Sequence, residues 1–319
     1  MCIRDRVRDG PYKGTSVEGP EYETIAMLGS NCGVGDIRTI AKANLLCDEL
    51  GLDTISTGNV VAFAMECYER GIISKEDTGG LELKFGNYDT YLQLIGMIGN
   101  REGLGNTLAR GVRRAAELFG KGSENFAMHT KGLEWSGYEC RASVGQALAY
   151  GIVDRGADHN RIWCMDFFTS AQKDSPNVCA ELAFRHQCYR SACDLLGVCR
   201  FVSYQLNFKL YARMLSEATG WHVSERDIIS ASERVFNLTR AFNLRQGLTA
   251  QDDSAPARCF DEPVPSGPTK GSSLKREDFH EAMKSFYVLS GWDERTGVPT
   301  RNKLKELGLE EIAEDLEKL

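Results

Sequence analysis

The spacing of its apolar residues constrains this chain more than any other feature of the sequence. Ile40, Ala43, Cys47 and Leu50 recur every three or four residues, which places them on one face of an α-helix. The same spacing predicts a second inward-facing set, Ile228, Val235, Leu238 and Phe242. The alternation typical of β-strands is scarce, and the strand–helix–strand units of a parallel sheet are not recognisable. The sequence therefore predicts an all-α fold.

Residues that start and stop helices divide this pattern into elements. Asp36 is a suitable N-terminal cap and Gly51 a suitable stop for the first helix. The predicted helices are Ile37–Leu50, a helix opened by Thr57 or Asn59 and ended at Gly71, Asn106–Phe119, Glu181–Leu196, Glu225–Asn243, Lys275–Ser290 and Lys303–Leu319. Residues 252–273 are a long irregular connection. We expect two helical domains, residues 7–130, incomplete at its N-terminus, and 131–319.

The first six residues, 1–6, require a separate interpretation. They resemble the translation of a transposon-end adapter used in sequencing libraries. We therefore expect residues 1–6 to be a sequence-assembly artefact and the true gene to extend further upstream. They are left out of the fold prediction.

Charge and hydropathy exclude several classes of protein. The formal net charge is −7, whereas a nucleic-acid-binding protein usually presents a basic face. No apolar run approaches the roughly 18 residues that a membrane-spanning helix needs, and no signal peptide opens the chain. We therefore expect a cytoplasmic protein that binds neither nucleic acid nor membrane.

Cysteine usage is high for a chain of this kind. The 11 cysteines are scattered and odd in number, which does not suit a disulfide framework. The chain has no C-x2-C pair, so a zinc ribbon or a thioredoxin motif is excluded. Most of these cysteines are expected to be small buried hydrophobic residues.

Two segments repeat one pattern: an aspartate in the last turn of a helix, then glycine, an apolar residue, and aspartate or cysteine. They are Asp48–Asp53 and Asp194–Cys199. A carboxylate is poorly placed there because a helix C-terminus carries partial negative charge. Two aspartates at the same position of a repeated pattern suggest that each accepts hydrogen bonds from a specific donor. The edge of a fused, guanidine-like ring is such a donor, because it offers two parallel hydrogen bonds. Two ordinary helix ends would also explain the pattern.

These two segments resemble the pair of pterin-binding D-x-x-G-x-(D/C) segments of the aldehyde:ferredoxin oxidoreductase family. Further family motifs follow in the expected order: G-x-E-Y-E-T at Gly19–Thr24, G-S-N-C-G at Gly29–Gly33, R-G-A-x-H at Arg155–His159, G-W-D at Gly291–Asp293 and G-x-P-T at Gly297–Thr300. The resemblance covers residue 16 to the C-terminus. It departs from the family where Glu139 and Cys140 replace the Asp-Pro that many relatives carry, which leaves the substrate open.

The resemblance implies cofactors, a reaction and partners. In this family two pterins hold one tungsten atom, or occasionally molybdenum, through dithiolene sulfurs, and a [4Fe–4S] cluster lies beside one pterin. The implied reaction is oxidation of an aldehyde by water to a carboxylic acid, with two electrons passed to ferredoxin. The family fold has an N-terminal β domain and two helical domains, and this chain matches the helical domains 2 and 3. A homodimer is compatible with it.

The resemblance also implies roles for the residues of the two repeated segments. Asp48 and Asp194 are each expected to bind the ring edge of one pterin. Leu52 and Val198 are expected to add backbone contacts, and Asp53 is expected to contact the cofactor as part of the first segment.

Three further residues match positions of chemical importance in the family. Cys199 matches the fourth cysteine of the [4Fe–4S] cluster. Glu23 matches the active-site glutamate, which is suited to activate water or accept a proton. His159 matches the active-site histidine, which is suited to donate a hydrogen bond to the carbonyl oxygen as charge develops. By local sequence alone, Glu23 and His159 would be ordinary surface or salt-linked residues.

The family's other three cluster cysteines, in a C-x2-C-x3-C motif before G-x-E-Y-E-T, have no counterpart here. We therefore expect the chain on its own to lack a complete cluster and to be inactive. Without the β domain it is also expected to expose the apolar face that this domain covers.

Three other functions are considered. A tungsten subunit of an aryl-CoA reductase is a relative on the same cofactor scaffold. A non-catalytic helical module is disfavoured, because a solenoid would repeat itself about every 20–50 residues and this chain does not. A nucleotide-binding enzyme is disfavoured because Gly103-x-Gly105 lacks the third glycine and no G-x4-G-K-[ST] motif is present.

Overall fold

The computed structural model describes residues 4–165 and 175–318. The regular secondary structure of the described chain is helical apart from short two-stranded pairings, so the predicted all-α fold is confirmed. Its contacts define two compact units: unit 1 comprises residues 1–139 and 256–258, and unit 2 comprises 140–255 and 259–319. The domain boundary expected at residue 130 stays a prediction. Met1–Ile3 of the suspected artefact lie outside the described residues.

Unit 1 consists of helices and two small antiparallel pairings. Its elements in chain order are β1 (Arg4–Arg6), β2 (Ser16–Glu18), α1 (Tyr22–Thr24), a π-helical turn (Ile25–Gly29), a 3-10 turn (Ser30–Cys32), α2 (Ile37–Leu50), α3 (Thr54–Glu69), α4 (Tyr88–Asn100), α5 (Leu104–Leu108), α6 (Val112–Phe119), a 3-10 turn (Ser123–Phe126), β3 (His129–Thr130) and β4 (Leu133–Glu134). β1 pairs with β2, and β3 pairs with β4.

The core of unit 1 forms around α3. Every residue from Thr57 to Met65 is buried, because this helix is covered on all sides by the other elements of the unit. Gly58 permits a close approach: a Cβ at that position would lie 2.4 Å from the carbonyl carbon of Met27. The π-helical turn therefore packs directly against α3.

Unit 2 is built around one long helix. Its elements are α7 (Val144–Ile152), α8 (Pro176–Leu196), α9 (Arg200–Ser203), α10 (Phe208–Thr219), α11 (Glu225–Arg245), a 3-10 turn (Ala250–Asp252), α12 (Arg258–Asp261, whose first residue belongs to unit 1), α13 (Arg276–Leu289), α14 (Arg301–Glu306) and α15 (Glu310–Leu316). α8 packs against α7, α11 and α13.

A buried ion pair lies within unit 2. The Arg240 and Asp253 side chains are 4% and 0% exposed, and Arg240 Nη2 lies 2.8 Å from Asp253 Oδ2. Arg240 Nε donates to the Gly297 carbonyl at 2.9 Å, and Tyr287 donates its hydroxyl to Asp253. The ring of Trp292 lies 4.9 Å from the Arg240 guanidinium. Each charge is therefore both paired and hydrogen-bonded, as burial requires.

Two predicted helices are each divided in two by a glycine. The stretch Asn106–Phe119 forms α5 and α6, because Gly111 adopts a φ of 86° between them. The stretch Lys303–Leu319 forms α14 and α15, because Gly308 adopts a φ of 65°. Leu319 itself lies outside the described residues. A positive φ interrupts a right-handed helix, and glycine adopts it without steric cost.

The inward face predicted for α11 is partly wrong. Leu238 is 43% exposed and Phe242 is 58% exposed. The buried side of this helix instead includes Ser232, Phe236 and Arg240. Ile228 is buried as predicted, but Ser232 and Arg240 are polar, so a pattern based on apolar residues alone misses part of the buried face.

In the part of the chain that the structure describes, no helix combines the length and the apolarity needed to cross a membrane.

Candidate functional site

The two D-x-x-G segments adopt the same turn, one in each unit. Gly51 has a φ of 68°, and the N–H of Leu52 returns to the Cys47 carbonyl at 2.8 Å. In unit 2, Gly197 has a φ of 64°, and the N–H of Val198 returns to the Cys193 carbonyl at 2.9 Å. Both are Schellman-type helix ends. Each places an aspartate one turn before a chain reversal, and a new helix follows.

The last residue of each segment opens that next helix. Asp53 is the N-cap of α3, and its Oδ2 accepts a hydrogen bond from the Ser56 N–H at 2.7 Å. Cys199 occupies the equivalent N-cap position of α9. The last motif position, which is aspartate in one segment and cysteine in the other, is therefore the N-cap of the following helix in both units.

Asp48 is an exposed carboxylate at the end of α2. Its Oδ2 accepts a hydrogen bond from Asn44 Nδ2 at 3.1 Å. Partial burial, followed by the nearby charges of Glu18 and Glu49, raises the pKa of Asp48. The surroundings therefore disfavour its negative charge, and an added hydrogen-bond donor would relieve that cost.

Asp194 in unit 2 already holds donors of the guanidine type. Arg161 Nη1 donates to Oδ2 at 2.5 Å, and Arg200 Nη2 lies 3.0 and 3.2 Å from Oδ1 and Oδ2. The edge of a pterin presents the same kind of N–H pair to a carboxylate. The Asp194 carboxylate therefore accepts donors of the kind that a pterin edge presents, although two arginines now occupy it, and the carboxylate at Asp48 offers the same acceptor chemistry in unit 1.

Cys199 differs from the other cysteines that the structure describes. It is exposed, whereas the remaining nine described cysteines are buried. Burial raises the pKa of several of them, among them Cys47 and Cys188, to about 12. Those thiols are poor metal ligands because ligation requires the thiolate. Among the described residues no group of three or more His, Cys, Asp or Glu side chains is arranged to hold a metal ion, so this part of the chain offers a cluster one cysteine and does not fit a complete one.

Glu23 lies half-buried at the start of unit 1. The Gly137 N–H donates to its Oε2 at 2.8 Å, and the hydroxyl of Tyr22 donates to the Gly137 carbonyl at 2.9 Å. The rings of Tyr22 and Tyr138 stack at 5.1 Å. The backbone of residues 136–138 is thereby held directly over α1.

Burial is the main reason why the pKa of Glu23 is raised. Hydrogen bonds from Gly137, Tyr138 and Ser136 oppose the shift, and the charge of Asp53 adds to it. A hydrogen bond of 3.0 Å between Thr24 Oγ1 and Thr54 Oγ1 fixes the two segments side by side. Unit 1 therefore brings together Glu23 and the Asp53 end of its D-x-x-G segment.

His159 lies in unit 2, the unit that also contains Asp194. Burial lowers its pKa, Asp158 opposes the shift, and the charges of Arg200, Arg190 and Arg155 add to it. The imidazole is therefore favoured in its neutral form, which still offers one N–H donor. Since Arg200 also binds Asp194, His159 and the second D-x-x-G segment belong to one charged cluster.

Several residues of these two sites escaped the sequence analysis. They are Tyr22, Tyr138, Arg161 and Arg200, together with Gly137. Tyr22 lies inside the G-x-E-Y-E-T stretch and Tyr138 directly precedes Glu139 and Cys140, so an aromatic pair could have been suspected. Gly137 and Arg161 gave no local signal, because each acts on a residue far away in the sequence.

Gly137 is expected to be intolerant of even a methyl group. A Cβ at this position would lie 2.6 Å from the Ala26 Cβ and 3.3 Å from Glu23 Oε2. We expect Gly137→Ala to lower the free energy of unfolding by about 1–3 kcal/mol through overpacking. Chemical denaturation measures this. The control is Gly96→Ala in α4, where the added Cβ meets nothing within 4 Å; it is expected to stabilise by about 0.5–1 kcal/mol. Equal effects of the two substitutions would contradict the prediction.

The raised pKa of Glu23 also makes a prediction about stability. A carboxyl group whose folded pKa lies above its unfolded pKa favours folding when protonated, and that contribution is lost as the pH rises through the raised value. Glu23→Gln should therefore increase the free energy of unfolding at neutral pH but not at acidic pH. Denaturation at several pH values measures the difference, with the exposed neighbour Glu21→Gln as control. A variant that is less stable at neutral pH would show that the ionised form is favoured.

The chain is similar to one protein family and to several curated proteins. The family model described as aldehyde ferredoxin oxidoreductase, domains 2 and 3, matches residues 2–309. A tungsten-containing aldehyde ferredoxin oxidoreductase from Pyrococcus furiosus is 37% identical over 96% of this chain and 51% of its own length. An aliphatic sulfonate oxidoreductase, WOR-like subunit, from the same organism is 33% identical over 98% of this chain and 49% of its own length. The chain thus spans about half the length of these curated relatives.

One solved structure shows the same fold. The active-site complex BamBC of benzoyl-coenzyme A reductase, with 1,5-dienoyl-CoA, superposes with a TM-score of 0.77 over 93% of this chain and 50% of that chain. Sequence identity is 22%, so this similarity concerns the fold alone.

Proposed function

This chain belongs to the aldehyde ferredoxin oxidoreductase family, and we propose that it supplies the two pterin-binding segments, the acid–base residues and one cluster ligand of a tungstopterin oxidoreductase. The proposed reaction is oxidation of an aldehyde to a carboxylic acid, with electrons passed through a [4Fe–4S] cluster to ferredoxin. Relatives named for tungsten and for aldehyde oxidation support this proposal.

The observation that carries the proposal is the repeated turn. Two carboxylates, Asp48 and Asp194, lie in the same position of the same helix end, and Asp194 already accepts guanidinium donors. We propose that each accepts hydrogen bonds from one pterin edge, and that the backbone at Leu52 and Val198 adds further contacts. Two ordinary helix ends would not need a carboxylate at this unfavourable position.

When bound, the tungsten–pterin group supplies the two-electron acceptor for the oxidation. The protein's own residues would handle protons and orientation. Glu23 accepts a proton at its carboxylate, and a raised pKa makes it a stronger base than an ordinary glutamate. His159, held neutral, donates a ring N–H to the aldehyde oxygen as negative charge develops there.

Cys199 is proposed as one ligand of the [4Fe–4S] cluster. It is exposed at the N-terminus of α9, directly after the second pterin-binding segment. The other ligands would have to come from outside the residues that the structure describes.

The pterin assignment can be tested by cofactor content. Protein isolated from cells grown with tungstate is assayed for tungsten by mass spectrometry and for pterin by fluorescence. In Asp48→Asn and Asp194→Asn one carboxylate acceptor becomes an amide that donates instead, so one charge-assisted hydrogen bond is lost. At about 1.5–3 kcal/mol per bond, affinity should fall roughly 10- to 100-fold.

The matched control is Glu69→Gln, which removes an exposed carboxylate from the last turn of α3, outside both D-x-x-G segments. It should leave both contents unchanged. Full tungsten and pterin content in both aspartate variants at limiting cofactor would overturn the assignment.

A different substrate on the same scaffold is the second candidate. A relative that is 33% identical is named an aliphatic sulfonate oxidoreductase, WOR-like subunit, and an aryl-CoA reductase subunit is the alternative that the resemblance itself leaves open. Assays of the loaded enzyme with aldehydes, a sulfonate and an aryl-CoA thioester, each with a redox dye, distinguish the three. Turnover of aldehydes alone would support the first proposal.

A further inference from the structure

A separate cavity lies in unit 2, away from the residues assigned above. It has a volume of about 710 Å³, within the usual range of small-molecule pockets. One face of α13 lines it: Arg276, Phe279, His280, Met283, Lys284 and Tyr287 follow the three- and four-residue spacing of a helix. None of these residues has a role in the proposed oxidation.

The floor of the cavity is largely apolar and aromatic. Phe279, Met283 and Tyr287 are each less than 7% exposed. The ring of Phe260 meets that of Phe279 edge to face at 5.6 Å. The Arg276 guanidinium lies 4.5 Å from the Phe260 ring centroid, which holds this ring in place. Such a floor accepts a flat hydrocarbon body.

The rim carries unbalanced positive charge. Arg276 is paired with Asp261 at 2.7 and 2.8 Å, and the buried Asp253 is paired with Arg240. Within the described chain, Lys284 and Arg295 form no ion pair. Among the groups that line the cavity, Glu294 contributes one negative charge, so Lys284, Arg295 and Glu294 leave a net charge of one positive unit. Asp293 does not line the cavity, but its carboxylate lies beside Arg295 and offsets part of this charge.

Arg295 is presented by a rigid turn. Asp293 Oδ1 accepts hydrogen bonds from the Arg295 and Thr296 N–H groups at 3.1 and 2.8 Å, and the Gly297 N–H returns to the Asp293 carbonyl at 2.8 Å. This turn is the G-W-D to G-x-P-T segment. Its fixed backbone keeps the start of the Arg295 side chain at the rim and lowers the entropy cost of binding.

From this arrangement we propose that the cavity binds a monocarboxylate with an aromatic ring. The ring would lie against the Phe279 and Met283 floor, and the carboxylate would meet Lys284 and Arg295. One negative charge matches the excess of one cation among the groups that line the cavity, and a guanidinium pairs well with a planar carboxylate. This inference does not depend on the proposed redox activity, because it concerns binding alone.

Calorimetric titration of the purified protein tests it, using benzoate and 4-phenylbutyrate with their uncharged amides as matched ligands. The carboxylates should bind roughly fivefold or more tightly than the amides, as one charge interaction of about 1 kcal/mol implies. Lys284→Gln and Arg295→Gln should each weaken carboxylate binding by about the same factor. Both residues are exposed, so the substitutions should leave the fold intact.

Lys270→Gln is the control, because it removes an exposed lysine that does not line the cavity. It should bind as the unaltered protein does. Three results would overturn the proposal: equal affinity for acids and amides, carboxylate binding that neither rim variant weakens, and tighter binding of phenyl phosphate than of benzoate. Since no cofactor or turnover is needed, failure of the redox proposal would not affect this test.

Discussion

Replacing Glu23 with glutamine is expected to lower kcat for aldehyde oxidation by about 10²–10⁴-fold in the complete, cofactor-loaded enzyme to which this chain is proposed to contribute. Glutamine keeps the shape and can still accept the Gly137 N–H, but it cannot accept a proton from the reacting water or hydrate. Steady-state kinetics with an aldehyde and a redox dye measure the effect. Tungsten and pterin contents are measured in the same preparation, and both should be unchanged.

The matched control for this variant is Glu21→Gln, which neutralises an exposed carboxylate two residues earlier. A pH profile provides a second readout. The unaltered enzyme should gain activity as the pH rises through the raised pKa of Glu23, and this limb should vanish in the variant. If Glu23→Gln and Glu21→Gln have equal rates, Glu23 is not the base.

Replacing Asp253 with alanine is expected to lower the free energy of unfolding by about 3–5 kcal/mol. The substitution leaves Arg240 as an uncompensated charge in a side chain that is only 4% exposed, and removes the acceptor of the Tyr287 hydroxyl. Chemical denaturation of the purified protein measures the loss.

An exposed ion pair in the same unit provides the control. Asp261→Ala breaks the pair with Arg276, whose side chains are 50% and 59% exposed, and should cost about 0–1 kcal/mol. A small effect at Asp253 would mean that Arg240 reaches solvent or another partner once its carboxylate is lost.

The helical class and the two D-x-x-G turns were predictable because both depend on short-range rules. Gly51 and Gly197 end their helices through contacts within six residues, and Asp36 caps α2 as expected. Glycines inside predicted helices were harder: Gly111 and Gly308 take a positive φ that divides the helix.

Contacts between distant residues could not be predicted from one sequence. The hydrogen bond from Gly137 to Glu23 joins residues 114 positions apart, and neither residue is unusual in its own neighbourhood. Leu238 and Phe242 were expected inside because they are apolar, but the buried side of α11 includes Arg240, whose charge is satisfied by Asp253. A long-range ion pair of this kind allows a charged residue to be buried at a position where hydropathy predicts exposure.

The two helix ends that hold Asp48 and Asp194 also bear on the order of assembly. Each is closed by hydrogen bonds between near neighbours in the chain, at Cys47–Leu52 and at Cys193–Val198. Such short-range contacts form early and need no distant partner. The two carboxylates would then be in position before the cofactor binds. The helix ends would not need the cofactor in order to fold. Before the cofactor binds, Arg161 and Arg200 would occupy the Asp194 carboxylate in place of the pterin ring. Raised ionic strength weakens these ion pairs and should therefore speed cofactor binding.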